Sequence, residues 1–395
     1  MEMELLAPAG DLEKLEIAAA YGADAVYVGV DKFSLREGAN LTGGDLEQAV
    51  RLARAGGMKI YAAVNLLPRN KDLACLPHLL SYLAHLKVDA VIISDPGAIG
   101  LVEKYASLPW HLSTQANTTN WASALFWERQ GARRLNLARE LSIGEIREIR
   151  MRTGVELEIF VHGAMCLSYS GRCWLSMALA GRDGNAGDCA QPCRWNYRLQ
   201  EETRPGIFMP VEEGRGYTAL MSSKDLCLLA EIPALAEAGI NSLKIEGRRK
   251  SGYYVAVTVK TYRKAIDAYL SGRWTDKTPR DLGRELDKIS NRGYTKGFFI
   301  SREEDMQSTG VNRAYDYVGL CRESGNVSLW EIKNGLEPGE AVEIISPLEP
   351  DRAMRIPLIY DSDGKIIPKA HAGYRIRMET PFPVAEYSIM IRKCR

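Results

Sequence analysis

The chain has 395 residues, of which 46% are apolar and 26% are charged. This composition is typical of a globular protein and excludes global disorder. The chain has 51 basic and 50 acidic residues and a net charge of +1, which excludes a uniformly basic nucleic-acid coat but allows a local basic face. The acidic start and the lack of a long apolar run predict a soluble, cytoplasmic protein with neither a signal peptide nor a membrane span.

Short apolar runs alternate with amphipathic segments of helical length through the first 270 residues. The predicted strands are 5–8, 25–30, 59–65, 90–94, 111–117, 134–139, 156–163 and 242–246. The predicted helices are 11–21, 44–55, 76–86, 97–105, 122–130, 142–152, 224–238 and 253–270. Eight strands alternating with eight helices favour a TIM-like (β/α)8 barrel. The alternative is an open doubly wound α/β sheet, but no Gly-x-Gly-x-x-Gly sequence follows the first strand.

Two further regions depart from this alternation. Residues 164–223 form a cysteine-rich insertion after strand seven, within the predicted catalytic barrel of residues 1–270. Residues 271–310 are polar and indicate a connector with a short helix near 279–289. Residues 311–395 contain short strand-like runs at 317–320, 327–333, 340–345, 353–360 and 374–378, which predict a small all-β barrel.

Polar side chains stand at the predicted carboxyl ends of several barrel strands, where barrel enzymes carry their catalytic groups. We expect catalytic roles for Asn65, Gln115, Arg139, His162 and Glu246. Asp95 is a candidate for substrate binding, although its place before Pro96 also suits a helix cap. His162 also suits a supporting or core position.

Residues 244–264 contain seven basic residues and one acid, Glu246. Lys244, Arg248, Arg249 and Lys250 are predicted to bind substrate, through RNA phosphates or through a dicarboxylate held by arginine. Tyrosines interleaved with the basic residues can stack on unpaired bases. The alternative is a solvated outer helix whose tyrosines pack against the barrel.

Four of the eight cysteines fall within the insertion with the spacing Cys166-x6-Cys173-x15-Cys189-x3-Cys193. Cytosolic thiols stay reduced, so this grouping favours metal or redox chemistry over disulfides. Four thiolates from one glycine-rich loop can bind Zn²⁺ or a 4Fe-4S cluster. The wide spacing favours the iron–sulfur cluster, while zinc and unliganded thiols remain open.

The chain resembles peptidase family U32 along nearly its whole length. The resemblance is carried by Glu158-Ile-Phe-Val-His-Gly-Ala-Met-Cys166, Gly171-Arg-Cys-Trp-Leu-Ser176, Ser113-Thr-Gln-Ala-Asn-Thr-Thr-Asn120, Ala138-Arg-Glu-Leu-Ser142, Ser223-Lys-Asp-Leu-Cys227, Leu243-Lys-Ile-Glu-Gly-Arg248 and Asn291-Arg-Gly-Tyr-Thr-Lys-Gly-Phe-Phe299. The length, the β domain and the last of these motifs look most like the branch of prephenate-dependent hydroxylases of the tRNA wobble uridine.

The resemblance implies an oxygen-independent hydroxylase that carries a 4Fe-4S cluster on Cys166, Cys173, Cys189 and Cys193. It implies hydroxylation of tRNA wobble uridine at C5, with prephenate as the hydroxyl donor. Other members of the family act on rRNA or on small molecules, so another RNA or a small aromatic molecule is an alternative substrate. Oligomeric state is not predicted.

Two other functions are weighed against the hydroxylase. The family name suggests a peptidase, but the chain has no His-Glu-x-x-His and no Gly-x-Ser-x-Gly sequence. A non-catalytic RNA-binding protein with a structural cluster is a further alternative. Polar residues at the predicted strand ends argue against this alternative. Burying polar groups without partners costs free energy, so a converging set of them indicates a site that binds something.

Overall fold

The computed structural model describes residues 3–35, 38–166, 168–169, 171–195, 213–214, 217–218, 223–300, 311–347 and 349–394. The predicted insertion 164–223 and the predicted connector 271–310 therefore lie partly outside the described residues. Within the described parts of the chain, none of the helices combines the length and the apolar character needed to cross a membrane.

Eight parallel strands form a closed barrel, as the sequence predicts. They are β1 (Glu4–Ala9), β2 (Ala25–Val30), β3 (Lys59–Val64), β4 (Ala90–Ile93), β5 (Trp110–Leu112), β6 (Arg134–Asn136), β7 (Glu156–Ala164) and β8 (Ser242–Ile245). Each strand pairs with the next along the chain, and β8 pairs with both β7 and β1. Short strands at Asn40–Leu41, Asp225–Cys227 and Tyr294–Thr295 extend the sheet, and Glu213–Gly214 pairs separately with Tyr217–Thr218.

Helices follow the strands around the barrel. The main helices are α1 (Leu12–Ala20), α2 (Gly43–Ala55), α3 (Leu76–Leu86), α4 (Pro96–Tyr105), α5 (Trp121–Arg129), α6 (Ile143–Arg152), α7 (Ile232–Glu237), α8 (Gly252–Leu270) and α9 (Thr278–Leu286). Shorter helices span Asn70–Leu73 and Leu175–Ala180. The predicted caps are confirmed: the Asp11 side chain accepts a hydrogen bond from the backbone of Lys14, and Ser142 and Glu145 form a capping box.

The prediction of one helix over residues 224–238 is wrong in its first half. Asp225–Cys227 forms a strand that runs antiparallel to the end of β7, and only Ile232–Glu237 is helical. The Asp225 carboxylate is ion-paired with Arg292, a contact made by a residue far away in the sequence. Tertiary pairing therefore overrides the local helical pattern here.

Residues after the connector form an all-β unit, which confirms the predicted fold class. The strands are β9 (Tyr315–Glu323), β10 (Gly325–Ile332), β11 (Ala341–Ile345), β12 (Arg352–Arg355), β13 (Ile359–Tyr360), β14 (Ile366–Ile367), β15 (Arg375–Val384) and β16 (Ile389–Lys393). They make one curled antiparallel sheet in the order β12-β11-β16-β9-β10-β15-β13-β14. Its apolar side encloses a core of its own around Trp330.

The C-terminal sheet packs against the outer surface of α1 and α8. The Tyr21 hydroxyl on the barrel side donates to the carbonyl oxygen of Ile345, 2.8 Å away. The Lys260 ammonium of α8 lies 2.5 Å from the Asp351 carboxylate. Glu13, at the start of α1, pairs with Arg322 and Lys333 of the sheet. Because several of these pairs are half-buried, the two units are joined by specific contacts along α1 and α8.

Candidate functional site at the mouth of the barrel

A cavity of about 160 Å³ lies at the carboxyl ends of the barrel strands, beneath the cysteine-rich loop. This is the end of the barrel where barrel enzymes bind their substrates. The cavity brings together most of the residues that the sequence predicts for the site. They are Asn65, Gln115, Arg139, Cys166, Cys173, Cys189, Cys193, Lys244, Glu246, Arg248 and Arg249.

The four clustered cysteines all line this one cavity. The loop that carries them is held by its own hydrogen bonds: the Asn185 amide donates to the carbonyl of Cys173 at 2.8 Å, and Ser176 Oγ accepts from the backbone of Ala190 at 3.0 Å. Gly184 lies beside Cys189, since a Cβ at residue 184 would be in ordinary van der Waals contact with the Cys189 sulfur at 3.5 Å. The loop is thus a folded support for thiols rather than a spacer.

The electrostatics of these thiols suit a bound metal group. Burial raises the pKa of the Cys193 thiol, and the neighbouring Cys166, Cys189 and Cys173 raise it further, while Arg194 opposes them. Thiolates placed side by side repel one another unless a cation lies among them. A soft metal or an iron–sulfur group replaces the thiol protons and removes that repulsion. The donor types therefore suit a zinc ion or a 4Fe-4S cluster, and among the described residues no three of these sulfur atoms lie within 4.8 Å of one another.

Lys244 forms part of the cavity floor and is buried, with 3% of its surface exposed. Its ammonium lies 2.9 Å from the Glu158 carboxylate and 4.4 Å from the centre of the Tyr27 ring. Burial lowers the pKa of Lys244, and the Glu158 charge offsets part of that effect. The floor thus presents one cation whose position is set by a carboxylate and an aromatic face.

A buried ion network continues below Lys244 into the barrel. Arg134 lies 2.5 Å from Glu4 and 3.2 Å from Glu158, and the Tyr61 hydroxyl donates to Glu4 at 2.7 Å. Burial by itself would raise the pKa of Glu158, but the charges of Lys244 and Arg134 hold it below its usual value. Two acids and two bases therefore neutralise one another inside the barrel, as buried charges require.

Two further arginines form the cationic wall of the cavity. Arg248 is 4% exposed, and its guanidinium donates to Ser34 Oγ at 2.6 Å. Arg139 donates to the carbonyl of Ala164 at 2.8 Å and stacks 4.0 Å from the centre of the Phe160 ring. Each guanidinium is oriented by a hydrogen bond, which is the arrangement needed to bind an anion in a fixed direction.

Side chains that carry amide groups also line the cavity. Asn65 donates to Ser113 Oγ at 3.3 Å, and Gln115 lies in a short 3-10 turn capped by the same serine. Gly171 of the cysteine loop rests on this turn, because a Cβ there would lie 2.6 Å from the Gln115 carbonyl oxygen. Asn136, at the end of β6, also lines the cavity, and its buried Oδ1 has no hydrogen-bond partner in the described part of the chain.

The structure does not bring His162 into the cavity. Strict alternation along β7 would turn His162 inward with Glu158 and Phe160, but a register shift pairs Phe160 with Lys244 and His162 with Ile245. The shift turns His162 outward, where its ring packs against Tyr254, Tyr262 and Tyr294 at centroid distances of 5.9, 5.6 and 5.5 Å. These surroundings are those of a core residue, which is the alternative role that the sequence left open for His162.

Asp95 and Lys250 also lie outside the cavity lining. Asp95 caps α4, because its carboxylate accepts a hydrogen bond from the backbone of Ala98 at 3.0 Å. This is the alternative role that the sequence left open for Asp95. Lys250 lines a separate cavity between the barrel and the C-terminal sheet.

The basic run at 244–264 is not one surface patch. Lys244 is paired inside the barrel with Glu158, Lys260 with Asp351 and Arg263 with Asp24. Tyr254 and Tyr262 of α8 are buried against the barrel, as the alternative interpretation held, whereas Tyr253 is buried against Tyr317 of the C-terminal sheet. Arg249 and Lys264 remain exposed. The local count of charges therefore overstated the basic surface.

Some site residues were not predicted from the sequence. Tyr27, Asn136, Phe160 and Arg194 line the cavity, and Glu158 lies beneath it. Glu158 and Arg134 carried a signal, because an isolated charge within a predicted buried strand requires a partner. Tyr27 and Phe160 carried none, since aromatic residues are common in strands.

Large aromatic side chains are exposed on the cysteine loop. Tyr169 is 55% exposed and also lines the cavity, and Trp174 and Trp195 are 65% and 43% exposed. Leaving such rings in water is unfavourable, so exposed rings on a loop that lines a cavity indicate a binding surface.

Comparison with known proteins gives matches over nearly the whole chain. The sequence model of peptidase family U32 matches residues 10–309, and that of the peptidase family U32 C-terminal domain matches residues 313–392. The tRNA hydroxylation protein P1 of Bacillus subtilis strain 168 is 40% identical over 383 residues, which are 94% of this chain and 90% of the relative.

Two other relatives carry different names. A 23S rRNA 5-hydroxycytidine synthase of Escherichia coli K12 is 34% identical over 344 residues, which are 87% of this chain and 49% of that protein. A collagenase of Porphyromonas gingivalis strain W83 is 30% identical over 367 residues, which are 88% of this chain and 87% of the relative. Sequence similarity therefore spans both RNA-modifying relatives and a relative named as a protease.

Proposed function

Because the chain belongs to peptidase family U32, we propose that it is an RNA-modifying hydroxylase that acts on the wobble uridine of tRNA at C5. The observation that carries the proposal is the cavity at the barrel mouth, where four thiols face a set of oriented cations and amides. Relatives named for tRNA hydroxylation and for rRNA hydroxycytidine synthesis support RNA as the substrate.

Cys166, Cys173, Cys189 and Cys193 would hold a 4Fe-4S cluster as the resident cofactor. Four thiolate donors on one loop are the ligand set of such clusters. A bound cluster would supply redox chemistry that does not require oxygen. Zinc is the competing ligand, and metal analysis distinguishes the two.

Prephenate, a dicarboxylate, would enter the cavity as the hydroxyl donor. Arg139, Lys244 and Arg248 line the wall and floor, and each is held by a contact to the protein. Arginine binds carboxylates through two parallel hydrogen bonds, which fixes the orientation of the ligand. Asn65, Gln115 and Glu246 lie around the same space and would orient the polar part of the donor.

The RNA would approach across the cysteine loop. A base must leave its stack before an enzyme can modify one of its ring atoms. The exposed rings of Tyr169, Trp174 and Trp195 offer stacking surfaces for such an unstacked region. Arg249 is exposed at the rim and would contact phosphate.

The peptidase alternative finds less support at this site. A cysteine protease needs a histidine within hydrogen-bond reach of the nucleophile. The cavity lining within the described ranges includes no histidine, and His162 faces the other side of β7. The non-catalytic alternative leaves the oriented arginines and amides of the cavity without a role.

The decisive experiment is anaerobic purification followed by iron, sulfide and zinc analysis and by nucleoside analysis of tRNA incubated with prephenate. We expect about four irons and four sulfides per chain and formation of 5-hydroxyuridine that depends on prephenate. One zinc and no iron per chain would refute the proposed 4Fe-4S cluster. Hydroxylation of rRNA or of a small aromatic molecule, but not of tRNA, would show that the enzyme has a substrate other than tRNA. Cleavage of casein that is unaffected by RNA would favour the peptidase.

A further inference from the structure

A second cavity, of about 190 Å³, lies between the barrel and the C-terminal sheet. We call it the interdomain cleft. The loop before α8 contributes Lys250, and α8 itself contributes Tyr253. The start of β9 and the residues before it contribute Arg313, Tyr315 and Tyr317. The cleft thus exists only because the two units are packed together.

The lining of the interdomain cleft is cationic and aromatic. Of the described residues that line it, two are basic, four are tyrosines and none is acidic. The Lys250 ammonium lies 5.2 Å from the centre of the Tyr254 ring, and the charges of Asp225 and Glu246, which lie outside the cleft lining, act on it. Arg313 is 60% exposed and pairs with Asp316 at 2.6 Å. Such a lining suits an anion that carries a flat ring.

Two tyrosines of the cleft pack against each other. The rings of Tyr253 and Tyr317 lie 5.8 Å apart at an angle of 30°, and the Tyr253 hydroxyl donates to the carbonyl of Lys288 at 2.9 Å. The Tyr317 hydroxyl is buried and has no hydrogen-bond partner among the described residues. Tyr315 is half-buried and leaves part of its ring accessible.

The interdomain cleft lies directly beside the barrel mouth. Arg249 lines the mouth cavity and the next residue, Lys250, lines the cleft. Adjacent Cα atoms are about 3.8 Å apart, so the two cavities are one residue step apart along the loop that follows β8. The salt bridges from Glu13 to Arg322 and Lys333 hold the sheet against the barrel near the start of α1.

We propose that the interdomain cleft binds a nucleotide of the RNA adjacent to the one that is hydroxylated. Lys250 and Arg313 contact its phosphate, and Tyr315 contacts its base or ribose. This inference rests on the proposed function, and it gives the C-terminal sheet a part in RNA binding. Phosphate contacts supply affinity that falls with salt, whereas stacking on aromatic rings tolerates any base.

The test compares Arg313→Ala with Arg377→Ala in the full-length, anaerobically purified protein. Both arginines are largely exposed and pair with one carboxylate, Asp316 and Glu323 respectively, but Arg377 lies outside the cleft lining. Affinity for tRNA is measured at several salt concentrations. We expect Arg313→Ala to weaken binding several-fold and to reduce the salt slope by about 1, and Arg377→Ala to leave both unchanged.

Tyr315→Leu keeps an apolar side chain and tests the stacking contact. We expect about 5-fold weaker binding or more, with the Michaelis constant for prephenate unchanged. Thermal unfolding confirms that the variant is folded. If wild-type protein hydroxylates tRNA and Arg313→Ala binds as Arg377→Ala does, the cleft proposal is overturned and the proposed function stands. If wild-type protein binds no RNA, both are overturned.

Discussion

The inside of the barrel and the mouth of the barrel both collect ionisable groups, but they balance them differently. Inside, Glu4, Arg134, Glu158 and Lys244 pair with one another at 2.5–3.2 Å. At the mouth, four thiols and several arginines surround an open space, and the arginines are oriented by neutral oxygens. The charges of the inner group are paired within the protein, and of its four members only Lys244 also lines the mouth cavity, whereas the outer group is arranged to receive a ligand. We therefore expect changes inside to reduce stability and changes at the mouth to reduce function.

Cys173→Ser at the mouth should have the largest effect. It removes one thiolate donor from the proposed cluster site, so we expect loss of bound iron, loss of visible absorbance and loss of tRNA hydroxylation. The free energy of unfolding of the metal-free protein should change little, because the loop bond from Asn185 uses the backbone of Cys173. Cys75→Ser, at an exposed cysteine away from the cavity, is the control. Hydroxylation at the normal rate by Cys173→Ser would show that the cluster is not catalytic.

Glu158→Gln inside the barrel should have the largest effect on stability. It leaves the buried charges of Arg134 and Lys244 without one of their partners. Breaking such a buried pair costs about 3–5 kcal/mol of the free energy of unfolding, which denaturant titration measures. Glu148→Gln removes an exposed partner of Arg152 and should cost less than about 1 kcal/mol. Equal losses in the free energy of unfolding for Glu158→Gln and Glu148→Gln would contradict the distinction between the paired charges inside the barrel and an exposed ion pair.

Arg248 tests the same distinction, because it shares a feature with each of the two groups. It is buried as the inner residues are, yet it lines the mouth cavity. We expect Arg248→Ala to raise the Michaelis constant for prephenate or for RNA by a factor of about 10–100, since a hydrogen bond from a charged group contributes about 1.5–3 kcal/mol. Arg51→Ala, at a largely exposed arginine on α2, should leave both constants unchanged. Unchanged constants in Arg248→Ala would remove this residue from the site.

We expect the smallest effect at His162, which belongs neither to the charged group inside the barrel nor to the group at the mouth. Burial, together with the charge of Lys250, lowers the pKa of His162 to about 3 from its usual 6.5. Between those two values the unfolded chain binds a proton that the folded chain does not, so stability falls as the pH falls. The contribution is about 1.4 kcal/mol per pH unit.

The variant His162→Gln cannot take up that proton. We expect its free energy of unfolding to depend less on pH between 6.5 and 3 than that of the wild type, with tRNA hydroxylation at neutral pH retained. His371→Gln, at an exposed histidine of the C-terminal sheet, should follow the wild type. Parallel pH curves for wild type and His162→Gln would show that the histidine is not buried as described, and loss of hydroxylation with normal stability would restore its catalytic role.

Local patterns were sufficient for most of the architecture. The eight-strand alternation, the Asp11 cap, the Ser142 capping box and the all-β character of the C-terminal residues were predicted from neighbouring residues and are observed. The polar strand ends also indicated where the cavity lies, because parallel strands place their carboxyl ends together. The four-cysteine spacing singled out one loop, and the structure places all four thiols around that cavity.

Other features depend on pairs of residues far apart in the chain, and no local pattern contains them. The register shift between β7 and β8 turns His162 away from the site, and pairing with β7 converts Asp225–Cys227 from predicted helix to strand. The basic run at 244–264 is divided between the barrel interior and the domain interface by partners as distant as Asp24 and Asp351. Short-range rules such as periodicity and capping act within a few residues. The direction of a side chain and the partner of a charge are decided only when the strands and domains pack.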